Sequence, residues 1–242
     1  MGDLHFTPNA SEQVVENQAA MSGDSGGSYI PALRIRALTR FYDPVVALTT
    51  REREFKRRLI DQLAPEPGQR ILDLGCGTGT LALLVKERRP EAAVAGLDAD
   101  PEMLARAEQK TAEAAVEIEL SEGRSDAMPY GDGSFDAVVS TLFFHHLSRP
   151  VRDATAAEIV RVLAPGGELH VADWGKPADP LMGIAGLAIR MLDGFEPTAD
   201  NFAGRLPAIF AAAGLTEVRT RDRMRTAFGT LAFHSARKAE GP

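Results

Sequence analysis

Residues 75–79 read Gly-Cys-Gly-Thr-Gly and follow directly on Ile71-Leu72-Asp73-Leu74, a short apolar run that suits a buried strand. Without Cβ atoms, Gly75 and Gly77 let backbone amides approach a ligand closely, and a following helix supplies unpaired N–H groups and the positive end of its dipole. Asp98 stands 23 residues beyond Gly75 and closes a second apolar run, Ala-Val-Ala-Gly-Leu. A carboxylate there can accept from the 2′ and 3′ hydroxyls of a ribose. The same stretch, Asp98-Ala99-Asp100-Pro101, also reads as a helix start that Asp100 can cap. Asp126 precedes a Met128-Pro129 bend, where a carboxylate serves either as a turn cap or as acceptor for an exocyclic amine. His145 and His146 follow a further apolar run, and an imidazole that titrates near neutrality suits proton transfer. In an extended stretch the two rings point apart, so one would face a reacting group while the other packs.

These groups need a scaffold that brings strand ends to one edge. RILDLG, AAVAGLD, VEIEL, FDAVVSTLFF and ELHVAD read as strands, separated by helical patterns in TLALLVKERR, DPEMLARAEQKTAEAA and ATAAEIVRVL. That alternation predicts a mainly parallel sheet covered on both faces, with right-handed crossovers. A helix is expected over EREFKRRLIDQL, capped by Thr50, with Phe55, Leu59 and Leu63 inward and Arg51, Lys56, Arg57 and Arg58 largely in solvent. Residues 30–60 hold eight basic and three acidic residues, read as a solvated face in preference to an anion site. PLMGIAGLAIRML and NFAGRLPAIFAAAG read as helices, the latter stopped by Gly214. LTEVRTRDRM and AFGTLAFHSARK read as two final antiparallel strands, with Arg219, Arg221, Arg223 and Arg225 sharing one solvent face.

The chain has 242 residues, 44% hydrophobic, enough for one domain with a substantial core. Its net charge of −7 works against nucleic acid or anionic lipid as a partner. Cys76 is the single cysteine, so no internal disulfide forms, and the five histidines show no metal-site spacing. Residues 1–28 lack the basic start and apolar core of a signal peptide and read as a flexible arm, which places the protein in the cytoplasm. The most apolar later stretch is broken by Arg190 and is too short to span a membrane.

ILDLGCGTG, VAGLDADPEML, SDAMPYGDGSFDAVVS, LFFHHL and RVLAPGGELHVAD occur between Ile71 and Asp173 in the order shown by class I S-adenosylmethionine-dependent methyltransferases, which this sequence resembles. The likeness is to the group that includes ubiquinone, menaquinone and small-molecule methyltransferases. It implies a Rossmann-like fold with a seven-stranded, mainly parallel sheet and an antiparallel last strand. The domain would run over residues 29–242, with a helical lead-in at 31–64 and an inserted helical roof at about 178–213. The implied cofactor is S-adenosylmethionine, leaving as S-adenosylhomocysteine. Position by position, the resemblance sets Asp73 and Gly75 beside its methionyl part, Asp98 on the ribose and Met103 at the adenosine pocket. Asp126 and the Ala127 amide would read the adenine, and Thr141 would lie near the amino-acid end. Tyr42 in the lead-in would close over the cofactor, with Phe41 as core. His146 is the candidate base at the acceptor site, with Asp173 as its hydrogen-bond partner.

The implied partner is a small organic methyl acceptor, apolar or aromatic, methylated at oxygen or carbon. Monomer and homodimer stay open. After LFFHHL and through DGFEPTADNFAGRLP the sequence departs from the quinone enzymes, so their substrate does not carry over. Two rivals share the glycine turn and acidic residue: an NAD-dependent oxidoreductase, disfavoured because Thr80 replaces the third glycine of GxGxxG, and a nonenzymatic cofactor-binding or scaffold protein.

Overall fold

Alternating strands and helices build one twisted sheet in the computed structural model, which describes residues 51–241. The arm at 1–28, the helices expected over 31–48, Thr50 and Tyr42 lie outside the described residues. The strands are β1 (Arg70–Leu74), β2 (Ala93–Asp98), β3 (Glu119–Glu122), β4 (Phe135–Thr141), β5 (Leu163–Trp174), β6 (Thr216–Thr226) and β7 (Gly229–Arg237). They lie in the order β3-β2-β1-β4-β5-β7-β6. β1 to β5 are parallel, and β7 runs antiparallel to both β5 and β6. Strand order reverses between β1 and β4, so a crevice opens at the carboxyl ends of these strands, where ligands of such sheets bind.

Helices α1 (Glu52–Leu63), α2 (Thr80–Arg88), α3 (Pro101–Ala114), α4 (Arg149–Val162), α5 (Pro180–Asp193), α6 (Phe195–Phe202) and α7 (Leu206–Ala212) cover the sheet. One core layer joins Leu72, Leu74 and Val138 to Ile159 of α4 and Phe210 of α7. The other joins Ile71 and Val139 to Phe55 and Leu59 of α1 and Leu81 and Val85 of α2. Alternate residues of β1 thus feed opposite layers, as the pleat requires.

Several expectations are corrected. The third strand is Glu119–Glu122, not VEIEL: it pairs from Ala95↔Glu119 to Asp98↔Glu122, so contact with β2 rather than apolar alternation sets its place. NFAGRLPAIFAAAG is two pieces, because Gly204 at φ 71° breaks the chain and Pro207 sits in the first turn of α7. The four arginines of β6 do not share a face. Arg219 pairs with Ser235 while Arg223 and Arg225 pair with Ala232 and Thr230, and a bulge between Thr220 and Asp222 turns the strand over. Lys56 is buried rather than solvated, its ammonium 2.5 Å from Glu52. Arg51, in the left-handed region at φ 57°, holds the N-cap position of α1.

Candidate functional site

The glycine turn is built around close approaches. Gly75, Gly77 and Gly79 all have positive φ, at 70°, 53° and 74°. A Cβ on Gly75 would lie 2.3 Å from Cδ2 of Phe143, and one on Gly79 would lie 3.1 Å from the Cβ of Ala107 on α3. Around Gly77, by contrast, nothing comes within 4 Å of that position. The outer two glycines serve packing, and the middle one leaves space for a ligand.

Asp98 ties this turn to the end of β2. Its Oδ2 accepts from the Gly77 amide at 2.8 Å and its Oδ1 from the Asp100 amide at 2.9 Å. Asp100 caps α3 by accepting from the Glu102 amide at 2.9 Å. Burial lifts the Asp98 carboxyl above its ordinary range, and the Asp100 and Gly77 amides pull the other way. Each carboxylate oxygen keeps a lone pair for a further donor.

Asp73 is buried at the end of β1, where its Oδ2 accepts from the Ala82 amide at 3.1 Å. Its Oδ1 is buried with no hydrogen-bond partner. Burial lifts the carboxyl to about 7 despite the nearby Lys56 cation. An orphaned carboxylate oxygen beside an open glycine turn fits a ligand that carries both positive charge and hydrogen-bond donors. The Cys76 thiol in the same turn is buried and pushed up by burial, which leaves it unreactive.

Met103 is buried on α3 near this edge. The loop beyond β3 leaves directly from Asp98, whose carbonyl accepts from the Gly123 amide at 2.9 Å. Asp126 in that loop is paired with Arg124 at 2.6 and 2.9 Å, and the Ala127 amide donates to the Arg124 carbonyl at 3.3 Å. Both candidate adenine contacts therefore already have partners. Arg161 and Glu158 of α4, which sequence reasoning missed, pin the next residues: Arg161 donates to the carbonyls of Met128 and Tyr130, and Glu158 accepts from the Met128 amide.

At the end of β4, Thr141 is half-buried and Ser140 holds β4 to β1 through the Leu74 carbonyl at 2.7 Å. Leu142 then adopts φ 51°, a conformation costing a branched residue about 1–2 kcal/mol, and its amide is held by the Ala172 carbonyl at 2.9 Å. Phe144–His146 form a single 3-10 turn, not an extended stretch. The two imidazoles consequently lie against each other, with centroids 3.9 Å apart and planes tilted by 42°.

Asp173 belongs to His145 rather than His146. Its Oδ1 lies 2.7 Å from His145 Nδ1 and accepts from the Trp174 amide at 2.6 Å, while its Oδ2 accepts from the Phe143 and Phe144 amides at 3.2 and 2.7 Å. Burial works to raise this carboxyl, but His145 and the Trp174 amide outweigh it and hold it below its ordinary value. His146 is half-buried. Enclosure of its ring and the neighbouring His145 depress its pKa well below the ordinary imidazole value, so it is neutral at physiological pH.

Arg152 on α4, also missed, fastens the roof to this turn. Its buried guanidinium donates to Asp200 and to the Pro197 carbonyl, both on α6, each at 2.6 Å, and to the Leu147 carbonyl at 2.7 Å. A weaker contact reaches the Phe144 carbonyl at 3.3 Å. No local pattern foretells this, because the partners are distant in sequence. Among the described residues no cluster of side chains is placed to hold a metal ion, and no helix is long and apolar enough to cross a membrane.

A family model described as a methyltransferase domain matches residues 71–167. A demethylmenaquinone methyltransferase of Thermus thermophilus is 39% identical over 130 residues, covering 54% of this chain and 58% of that protein. The chain thus spans little more than half the length of this curated relative. Among solved structures, the YcgJ protein of Bacillus subtilis shares the fold with a TM-score of 0.64 and 19% identity, over 78% of this chain and all of that one (100%). The [4+2]-cyclase SpnF shares it with a TM-score of 0.63 and 22% identity, over 78% of this chain and 82% of its own. The sheet order and the solved structures agree on the fold, and over residues 71–167 the chain matches a methyltransferase domain and is related to demethylmenaquinone methyltransferases.

Proposed function

We propose that this chain transfers a methyl group from S-adenosylmethionine to a small organic acceptor, at oxygen or carbon. The observation that carries the reading is the open glycine turn at Gly77 flanked by two carboxylates, the half-buried Asp98 and the buried, half-unpaired Asp73. When bound, S-adenosylmethionine supplies a methyl already activated by its sulfonium leaving group. Asp98 would accept from the ribose hydroxyls, and Asp73 would face the charged methionyl end. Met103 would border the adenosine, and Asp126 and Ala127 would meet the adenine by exchanging or sharing their Arg124 contacts.

The remaining work falls to alignment and exclusion of water. The 3-10 turn and α6, which packs against it, would form the acceptor side of this arrangement. A neutral His146 can take the proton of a hydroxyl acceptor, whereas His145, locked to Asp173, holds the turn in shape. The relative's name supports an aromatic, apolar acceptor, while the roof lies beyond residues 71–167, which the family model matches.

Incubating the purified protein with isotopically labelled S-adenosylmethionine and a panel of hydroxylated aromatics, then reading products by mass spectrometry, tests the proposal. Label in a product supports it, and His146→Ala should lower turnover while leaving cofactor affinity unchanged. A second reading, cofactor binding without methyl transfer, is favoured by the [4+2]-cyclase that shares this fold. Tight S-adenosylhomocysteine binding with unlabelled, rearranged product would select it.

A further inference from the structure

Asn201 on α6 is buried to 1% exposure, yet neither its Nδ2 nor its Oδ1 has a hydrogen-bond partner. The neighbours that could satisfy it are committed elsewhere. Asp200 accepts from Arg152 and Arg205. Thr198 donates to the Gly194 carbonyl at 2.6 Å, and the Asn201 carbonyl takes the Gly204 amide at 2.9 Å. A buried carboxamide left unmade at both ends destabilises a fold, and such a group calls for a partner the chain does not itself supply.

Its position says where that partner would lie. α6 packs against the 3-10 turn that carries His146. Asn201 is four residues after Pro197, hence on the same helix face, and the Pro197 carbonyl is the one that Arg152 links to the Phe144 and Leu147 carbonyls of the turn. The carboxamide therefore belongs to the side of the roof directed at the turn.

We infer that Asn201 is an acceptor-binding residue, whose carboxamide hydrogen-bonds an uncharged hydroxyl or carbonyl oxygen of an apolar acceptor held beside His146. The inference rests on the methyl-transfer reading and deepens it. Arg152 and Arg205 share Asp200 and so are already paired, while Arg190, 4.7 Å over the Phe195 ring and 5.6 Å over that of Phe202, keeps a buried Nε without a hydrogen-bond partner. An amide also offers both donors and an acceptor, so it can hold a hydroxyl before and after the hydroxyl gives up its proton.

The test uses 1-naphthol and naphthalene as probes, identical apolar bodies with and without one hydroxyl, titrated into the full chain saturated with S-adenosylhomocysteine. Wild type should bind 1-naphthol at least tenfold more tightly than naphthalene. Asn201→Leu should abolish that preference while keeping naphthalene and S-adenosylhomocysteine affinity, and its Tm should hold or rise because an unpaired polar group has gone. Asn201→Ala, which cannot overfill the site, should show the same loss of preference. Equal affinity of wild type for the two probes, or a preference that survives both substitutions, overturns the assignment. A wild type that does not bind S-adenosylhomocysteine at all overturns the methyl-transfer reading, and this inference with it.

Discussion

His145 Nδ1 lies 2.7 Å from Asp173 Oδ1 with both side chains buried. An ionised carboxylate only accepts, so Nδ1 carries the hydrogen and the ring is fixed in one orientation. The same carboxylate holds the Phe143, Phe144 and Trp174 amides, which makes it the anchor of the whole turn after β4. Asp173→Ala should cost about 3–5 kcal/mol of stability in urea unfolding, the usual penalty for breaking a buried pair. Because its carboxyl is held below the ordinary 3.8, this contribution is complete above that value and falls away as the pH drops through the lower folded value. A loss below about 1 kcal/mol would mean the turn stands without it.

The glycine turn gives a paired test. Gly75→Ala places a methyl 2.3 Å from the Phe143 ring and should damage both folding and ligand binding. Gly77→Ala meets open space, so folding should lose only about 1 kcal/mol for its positive φ, while S-adenosylhomocysteine affinity drops tenfold or more. Equal binding by wild type and Gly77→Ala would remove this glycine from the site.

Asp73 links ligand binding to protons. Its folded carboxyl titrates near 7 against 3.8 when unperturbed, so the folded chain holds an extra proton between these values. Its stabilising contribution is complete below about pH 3.8 and is lost as pH rises through about 7. A cationic methionyl group favours the ionised form, so binding at pH 6 should release up to about one proton and at pH 8 almost none. Calorimetry of S-adenosylmethionine binding in two buffers of different ionisation enthalpy reads this directly. Identical heats at pH 6, or a release unchanged in Asp73→Asn, would contradict it.

The glycine turn and the carboxylate that meets it were legible because their signals are local. Ile71–Leu74 and Ala93–Leu97 are apolar runs ending in Gly75 and Asp98, and parallel pairing of β1 with β2 brings those ends together. The arrangement after β4 was not, since it depends on tertiary contacts. The contact of His145 with His146 follows from a 3-10 turn whose Phe144 amide Asp173 holds from another strand. Arg152 precedes the expected helix ATAAEIVRVL, and nothing local shows that Asp200 and Pro197 close on it from 48 and 45 residues away. Likewise the regular arginine spacing of β6 said nothing of the bulge that splits it between two faces.

His146 supplies a pH signature. With its pKa well below 6.5, it stays neutral to correspondingly lower pH, so it should place no acid limb near pH 6.5 in turnover. A hydroxyl acceptor should therefore be methylated at a rate that stays flat as pH falls through this region, and His146→Ala should lower turnover across it. An acid limb centred near 6.5 that disappears in His146→Ala would show an exposed, unperturbed imidazole and contradict the enclosed ring.

Calorimetric titration of wild type and Asp98→Ala with S-adenosylhomocysteine, alongside NADH, tests the central claim most directly. Saturable binding by wild type, at least tenfold weaker in Asp98→Ala and stronger than any binding of NADH, is the predicted result. Absence of binding by the folded wild type, unchanged affinity in Asp98→Ala, or tighter binding of NADH would contradict the account.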